Sequence, residues 1–281
     1  MPVTVLDEAP SLGRLFATSL VPVRHRPSTL PDTTLAVPST RIDRDALAAY
    51  QQVCGFNISD AVPATYLHVL AFPLATAIMV RRNFPFPLVG LVHVENSMTQ
   101  HRRLTVDDEL ALSVHADNLR PHRIGRQVDL VAEARVHDEL VWTDRSTYLR
   151  REKTSSSTVR EPRTDAPRRQ AAGRWAVPAD IGRRYATVSG DRNPIHLRAV
   201  TAKAFGFPRA IAHGMWLHAH AVAAIAARLP DAYTADVRFK TPVLLPSTVA
   251  VSTAHSTDGF FIELSNARSG KPHMTLTTTA G

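Results

Sequence analysis

The strongest chemical signal in the chain is the run Ser189-Gly190-Asp191-Arg192-Asn193-Pro194-Ile195-His196. Pro194 has no amide donor and biases Asn193 away from the helical region, so the run reads as a turn on which Asp191 and His196 can converge. A carboxylate and an imidazole meeting at one water form a general acid/base pair. Further on, His213-Gly214-Met215 opens an apolar stretch of helical character. Glycine at a helix start leaves its N–H open to a carbonyl oxygen, and the helix dipole favours negative charge developing there. That combination describes an oxyanion hole.

Each of these residues also has a plainer reading. Asp191 alone is a turn residue and His196 alone a core histidine; it is their joint occurrence in one turn that favours catalysis. Ser189 reads better as a small residue closing a helix before glycine than as a nucleophile. His213, His218 and His220 invite a metal reading. On a helix, however, His218 and His220 point to different sides and lack i,i+4 spacing, so no metal site is expected.

The elements that must hold this turn come in two copies. Tyr50-Gln51-Gln52-Val53-Cys54-Gly55-Phe56 aligns with Tyr185-Ala186-Thr187-Val188-Ser189-Gly190-Asp191, each after a helix-like stretch with a polar start, Asp43 before 46–50 and Pro178–Asp180 before 181–185. An apolar helix follows in each half, expected over 71–80 with Pro73 in its opening turn, and over 214–227. Strand-like segments come next, at 91–97, 109–118, 127–136 and 141–149, then at 234–240, 248–255, 260–267 and 273–279. Several alternate apolar with polar residues, as half-buried antiparallel strands do, and Asp258-Gly259 is a hairpin signal. A helix followed by antiparallel strands, given twice, is an α+β layout with each sheet wrapped round its helix. On this spacing the first-half loop before the helix is eight residues shorter than its counterpart.

Composition narrows the class. The 281 residues are 44% hydrophobic, ample for a packed core. A single cysteine, Cys54, excludes an internal disulfide and fits a reducing compartment. The early charges Asp7 and Glu8 break any signal-like apolar run, and 66–80 is too short to cross a bilayer. A cytoplasmic protein with no membrane span is expected. The net charge of +8 raises nucleic acid as a partner. Half of that charge lies in one segment, where Arg150, Arg151, Lys153, Arg160, Arg163, Arg168 and Arg169 outnumber Glu152, Glu161 and Asp165. Rich in Ser, Thr and Pro, it reads as a solvated linker over 150–172 between units 1–149 and 173–281. With no recognition motif present, no nucleic acid is expected.

The dyad run, with Ala204-Phe205-Gly206-Phe207, Ala212-His213-Gly214-Met215 and Val237-Arg238-Phe239-Lys240-Thr241-Pro242-Val243 behind it, resembles the MaoC-like, or hydratase 2, family. The first half is similar to the degenerate N-terminal repeat of two-repeat members. That resemblance implies a double hot-dog fold and a hydro-lyase of fatty-acid metabolism that hydrates trans-2-enoyl thioesters to (R)-3-hydroxyacyl thioesters or reverses that reaction. It implies that Asp191 and His196 hold the water, that Asn193 fixes the loop and that the Gly214 N–H polarises the thioester carbonyl, with no metal or redox cofactor. Coenzyme A or acyl-carrier protein would enter as part of the substrate. Phe56 stands at the first half's aspartate position and no N-P-x-H follows it, so that half should be catalytically inert. Lys203 and Arg209 are candidates for phosphate or carrier contacts, and Leu67, Ala71, Leu74, Ala75 and Ile78 form a helix face that could line a tunnel for the acyl tail. The chain would act as a monomeric pseudo-dimer or as a homodimer. A hot-dog thioesterase and a non-catalytic acyl-thioester binding module are the alternatives.

Overall fold

The computed structural model describes residues 1–19, 23, 25–152 and 170–281. The first half runs β1 (Val3–Val5), α1 (Leu12–Ser19), β2 (Thr34–Thr40), α2 (Arg44–Cys54), α3 (Ala64–Met79), β3 (Leu91–Gln100), β4 (Leu110–His122), β5 (Gly125–Val136) and β6 (Glu139–Arg151). The second runs β7 (Gly173–Val177), α4 (Ile181–Ser189), the short α5 (Pro194–Leu197) and α6 (Ala199–Ala204), then α7 (Gly214–Ala223), β8 (Tyr233–Phe239), β9 (Ser247–Ser256), β10 (Gly259–Asn266) and β11 (Pro272–Ala280).

All eleven strands form one sheet in the order β1-β2-β4-β5-β6-β3-β8-β11-β10-β9-β7. The order in the first half, β2-β4-β5-β6-β3, is answered in reverse by β8-β11-β10-β9-β7. The halves are therefore related by a pseudo-two-fold at the β3–β8 seam, where Glu95 to Gln100 pair antiparallel with Arg238 to Tyr233. The anticipated strands all form, most of them longer by a residue or more at one end or both. The outermost strands, β1, β2 and β7, were not anticipated. Asp258-Gly259 does close the β9–β10 hairpin, with Ser256 opposite Gly259.

Periodicity explains what the sheet buries. In β4, Leu110, Leu112, Val114 and Ala116 are buried in strict alternation, and they meet α3 across the core. The repeated tyrosine motif acquires a structural meaning. Tyr50 and Tyr185, both fully buried, face each other across the two halves with ring centroids 6.3 Å apart. Gly55 and Gly190 end α2 and α4 at φ +87° and +72°, the left-handed cap that favours glycine.

Two expectations about the first central helix are corrected. It begins at Ala64, not at 71, so Pro73 lies well inside it and removes one helical hydrogen bond. Tight burial against β2–β6 holds the helix through that position. Matched by its flanking bridges, Ala61 to Thr105 and Ile211 to Leu244, Ala64 corresponds to Gly214. The first-half loop is therefore fifteen residues shorter than its counterpart, not eight, and the extra residues of the second half build α5 and α6. In the second half α7 stops at Ala223 and a separate 3₁₀ turn follows at Ala226–Arg228. The basic linker is described only at its ends, where β6 runs on to Arg151 and β7 starts at Gly173; 153–169 lie outside the described residues.

Candidate active site

The turn that carries Asp191 is built by short local bonds. The Ser189 hydroxyl donates to the Tyr185 carbonyl (2.8 Å) and accepts from the Asp191 N–H (3.2 Å). Asp191 Oδ1 in turn accepts from the Asn193 N–H (3.1 Å), and the Asn193 side chain caps α5 by accepting from Ile195 N–H (3.4 Å). This ladder leaves Asp191 Oδ2 free, on a side chain 26% exposed. Ser189 is thus spent on structure.

α5 presents His196. Its Nδ1 lies 2.9 Å from the Ile211 carbonyl, which can only accept, so Nδ1 carries the hydrogen and neutral Nε2 keeps its lone pair. Burial holds this ring below the usual imidazole range, partly offset by Asp191 and the Ile211 carbonyl. The seat of α5 depends on Gly182 in α4: a Cβ there would stand 2.0 Å from the His196 carbonyl oxygen. Only a residue without a side chain lets the two helices touch.

His213 completes the cluster. Its Nε2 donates to the Asp191 backbone carbonyl (3.0 Å) and lies 3.7 Å from Asp191 Oδ2. Its ring stacks on His196 with centroids 3.7 Å apart at 26°. Burial pushes its pKa well below the ordinary value, so it is a neutral donor. Asp191, His196 and His213 each bring a polar atom within 4.8 Å of the others. Three such groups could offer ligands to a cation; the Asp191 carbonyl occupies His213 Nε2, whereas His213 Nδ1 is buried without a hydrogen-bond partner among the described residues.

Gly214 is the first residue of α7, whose N-terminus has no side-chain cap. A Cβ on Gly214 would meet three carbons of the Phe239 ring at 3.0–3.1 Å. Phe239 stands edge-on to His93 (5.3 Å), which stacks on Tyr148 (4.7 Å). The Tyr148 hydroxyl lies within electrostatic reach of both Asp191 and Asp144, and burial is the larger reason its pKa is raised. In the first half, Phe56 stacks on Tyr50 (6.4 Å), where the other repeat has its aspartate. Gln51 pins the short loop there, bonding Ser59 and Ala61.

The remaining sequence-predicted residues separate. Ala71 and Ala75 border a water-sized gap of about 10 Å³ under α3, with Tyr148 on its wall. Leu67, Leu74 and Ile78 are fully buried core residues that do not border it. Lys203 and Arg209 are exposed around α6, with Arg192 and Arg198 exposed beside them. Sequence reasoning missed His213 as a member of the cluster, and missed Gly182, Tyr148 and Phe239. In the sequence His213 stood out as the neighbour of Gly214 and as a metal candidate set aside, and Phe239 as part of the resemblance; nothing marks Gly182 or Tyr148 before the chain is folded.

Residues 154–275 match the family described as MaoC like domain. The chain is 41% identical to 3-hydroxyacyl-thioester dehydratase X of Mycobacterium tuberculosis over 267 residues, 93% of this chain and 94% of that protein. The crystal structure of HtdX from M. tuberculosis superposes with a TM-score of 0.79 at 38% identity, covering 88% of this chain and 100% of that one. A second M. tuberculosis protein, described as having a double hotdog fold, shares that fold at a TM-score of 0.51 and 13% identity, over 86% of this chain and 93% of that one. With two helix-in-sheet units joined at β3–β8, and the dyad motif in the second, this chain belongs to the MaoC-like dehydratase family.

Proposed function

We propose that the protein interconverts trans-2-enoyl and (R)-3-hydroxyacyl thioesters by adding or removing water at Asp191 and His196. The observation that carries this reading is the meeting of Asp191, His196 and the bare N-terminus of α7 at one place, with the His196 tautomer set by Ile211. In hydration, Asp191 Oδ2 orients the water and His196 Nε2 accepts its proton. The oxygen bonds to C3, and the double-bond pair moves onto the thioester oxygen, where the Gly214 N–H stabilises it. The imidazolium returns the proton to C2, so that one water is added; dehydration is the reverse. Asn193 holds the turn and His213 fixes the Asp191 backbone, so both are positioning residues. No step in this scheme requires a metal or a redox cofactor.

The exposed Arg192, Arg198, Lys203 and Arg209 suit the phosphates of coenzyme A or an acidic carrier-protein helix. The acyl tail is assigned to the α3 face at Ala71 and Ala75, where small side chains border a water-sized gap that has to widen to admit it. The repeats already supply each other's partner along β3–β8, so a single chain suffices as the working unit. Among the described residues no helix is long and apolar enough to cross a membrane, and the cytoplasm is the compartment proposed.

The test is hydration of crotonyl-CoA by loss of enoyl absorbance, with chiral chromatography of the product. Turnover to the (R) alcohol, lost in Asp191→Asn and His196→Ala, supports the reading. Free thiol released without hydration would favour a thioesterase, and mainly (S) product would overturn the stereochemical part.

A further inference from the structure

From Arg192 to Pro230 the chain carries no Asp or Glu, and its first stretch, around α5 and α6, turns its charges outward. Arg192, Arg198, Lys203 and Arg209 are all exposed there, and among the described residues none of them is paired with a carboxylate. Between them in the chain stands an apolar stripe. Val200 on α6 is 80% exposed, more than any other large apolar side chain among the described residues, and Phe205 at the end of α6 is 43% exposed. Helical spacing puts Val200, Lys203 and Ala204 on one face, all exposed, while Ala202 is fully buried on the other.

The patch is held rigidly. The Thr201 hydroxyl donates to the Pro194 carbonyl (2.6 Å) and the Arg198 carbonyl (2.9 Å), and the Phe207 N–H donates to the Ala202 carbonyl (3.1 Å). The Ile211 N–H donates to the Ile195 carbonyl (3.1 Å). These bonds tie α6 to α5, the element that presents His196. Both helices belong to the longer loop of the second half, and the first half, which lacks the dyad, has no counterpart of them. A preorganised surface costs little to bind, and the apolar area left in water at Val200 and Phe205 is gained back by whatever covers it.

Charge and apolar area together select the occupant. Free coenzyme A brings phosphates to the cations and one flat ring that Phe205 could meet, but nothing in it uses Val200 or its neighbouring alanines. A nucleic acid has the same shortfall. A protein helix with acidic residues around an apolar one satisfies both features: carboxylates meet the basic rim, and the apolar side covers Val200 and Phe205, the dry centre and polar rim of a protein interface. We propose that the α5–α6 surface docks an acidic carrier protein, so that the thioester arrives on a protein-borne arm beside His196. This rests on the hydratase reading of the site and adds the partner to it.

The experiment compares kcat/KM for crotonyl carried on a purified acidic bacterial acyl-carrier protein with kcat/KM for crotonyl-CoA. The carrier-borne substrate is expected to lead by about tenfold at low salt, and its advantage to shrink as salt screens the rim. Val200→Ser and Phe205→Ala should each lower the carrier value by about tenfold, the loss typical of an interface anchor, and leave the coenzyme A value nearly unchanged. Lys203→Glu should lower the carrier value and flatten its salt dependence. A carrier substrate no better than crotonyl-CoA overturns the proposal, as do losses at Val200 and Phe205 that are equal for both substrates or absent for both. Sedimentation with phosphatidylserine vesicles that Val200→Ser abolishes, with carrier kinetics unaltered, assigns the patch to a lipid surface and overturns it too. The preference of the unaltered protein and its salt dependence decide alone for any variant that does not fold. Hydration of crotonyl-CoA without a carrier preference removes only this proposal, whereas failure to hydrate either substrate removes the hydratase reading with it.

Discussion

Gly182→Ala isolates the link between a backbone contact and the chemistry. The glycine lies in the first turn of α4, away from the dyad in sequence, and no polar group is altered by the change. The new Cβ would stand 2.0 Å from the His196 carbonyl oxygen and 3.0 Å from its carbonyl carbon, against an ordinary contact of 3.4 Å or more. Neither backbone can rotate away as a flexible side chain would, so α5 must move by roughly 1 Å. A displacement of that size at a catalytic group costs about 10²-fold in rate. The overpacking itself costs about 1–3 kcal/mol of stability. Hydration kinetics with crotonyl-CoA, read beside thermal unfolding, measure both, at a temperature where the variant is folded. The control is Gly173→Ala, where a Cβ meets nothing within 4 Å and activity should be unchanged. Near-normal kcat/KM and melting temperature in Gly182→Ala would refute the claim that this contact seats His196.

Three further predictions follow from the same geometry. His213→Phe keeps the ring stacked on His196 but loses the bond to the Asp191 carbonyl; kcat should fall about tenfold or more with KM nearly unchanged, and an unaltered kcat would remove His213 from the machinery. His93, His196, His213 and His218 are all held below the usual imidazole range by burial first, His218 at about 3. The unfolded chain therefore binds more protons below about pH 6.5, so stability is full above that pH and is lost on acidification towards the folded values, by up to about 1.4 kcal/mol per pH unit for each histidine. Denaturant titrations at pH 7 and pH 5 check this: stability that does not fall would contradict it, and His218→Met should flatten the slope by about one proton. Ala75→Leu closes the gap under α3 and should impair twelve-carbon enoyl-CoA selectively over crotonyl-CoA; equal loss on both with a lowered melting temperature would mean an overpacked core and no tail site.

Much of this was written along the chain because its causes are local. Period-two alternation announced β4, and a glycine after Tyr50 or Tyr185 announced a helix end, because burial on one face and a left-handed cap each act over a few residues. Asp191 and His196 were legible for the same reason: a proline turn brings neighbours together without help from the rest of the fold. Ala64–Met79 was misplaced by seven residues at its start, although Leu67 was already placed on its face; the polar residues Thr65, Tyr66 and His68 of its first turns are buried by tertiary contacts. β2 and β7 escaped notice as well; they are the outer strands of each unit, and only their neighbours β4 and β9 give them a partner.

What the sequence by itself determined is the repeat, the α+β class and the chemical pair. Only the tertiary structure decided which other residues meet that pair. Gly182 touches His196 because two helices pack, His213 reaches Asp191 because α7 runs back under the turn, and Tyr148 comes from a strand of the other repeat. Contacts between residues far apart in the chain depend on how the two repeats join at β3–β8, and no short-range pattern encodes that junction.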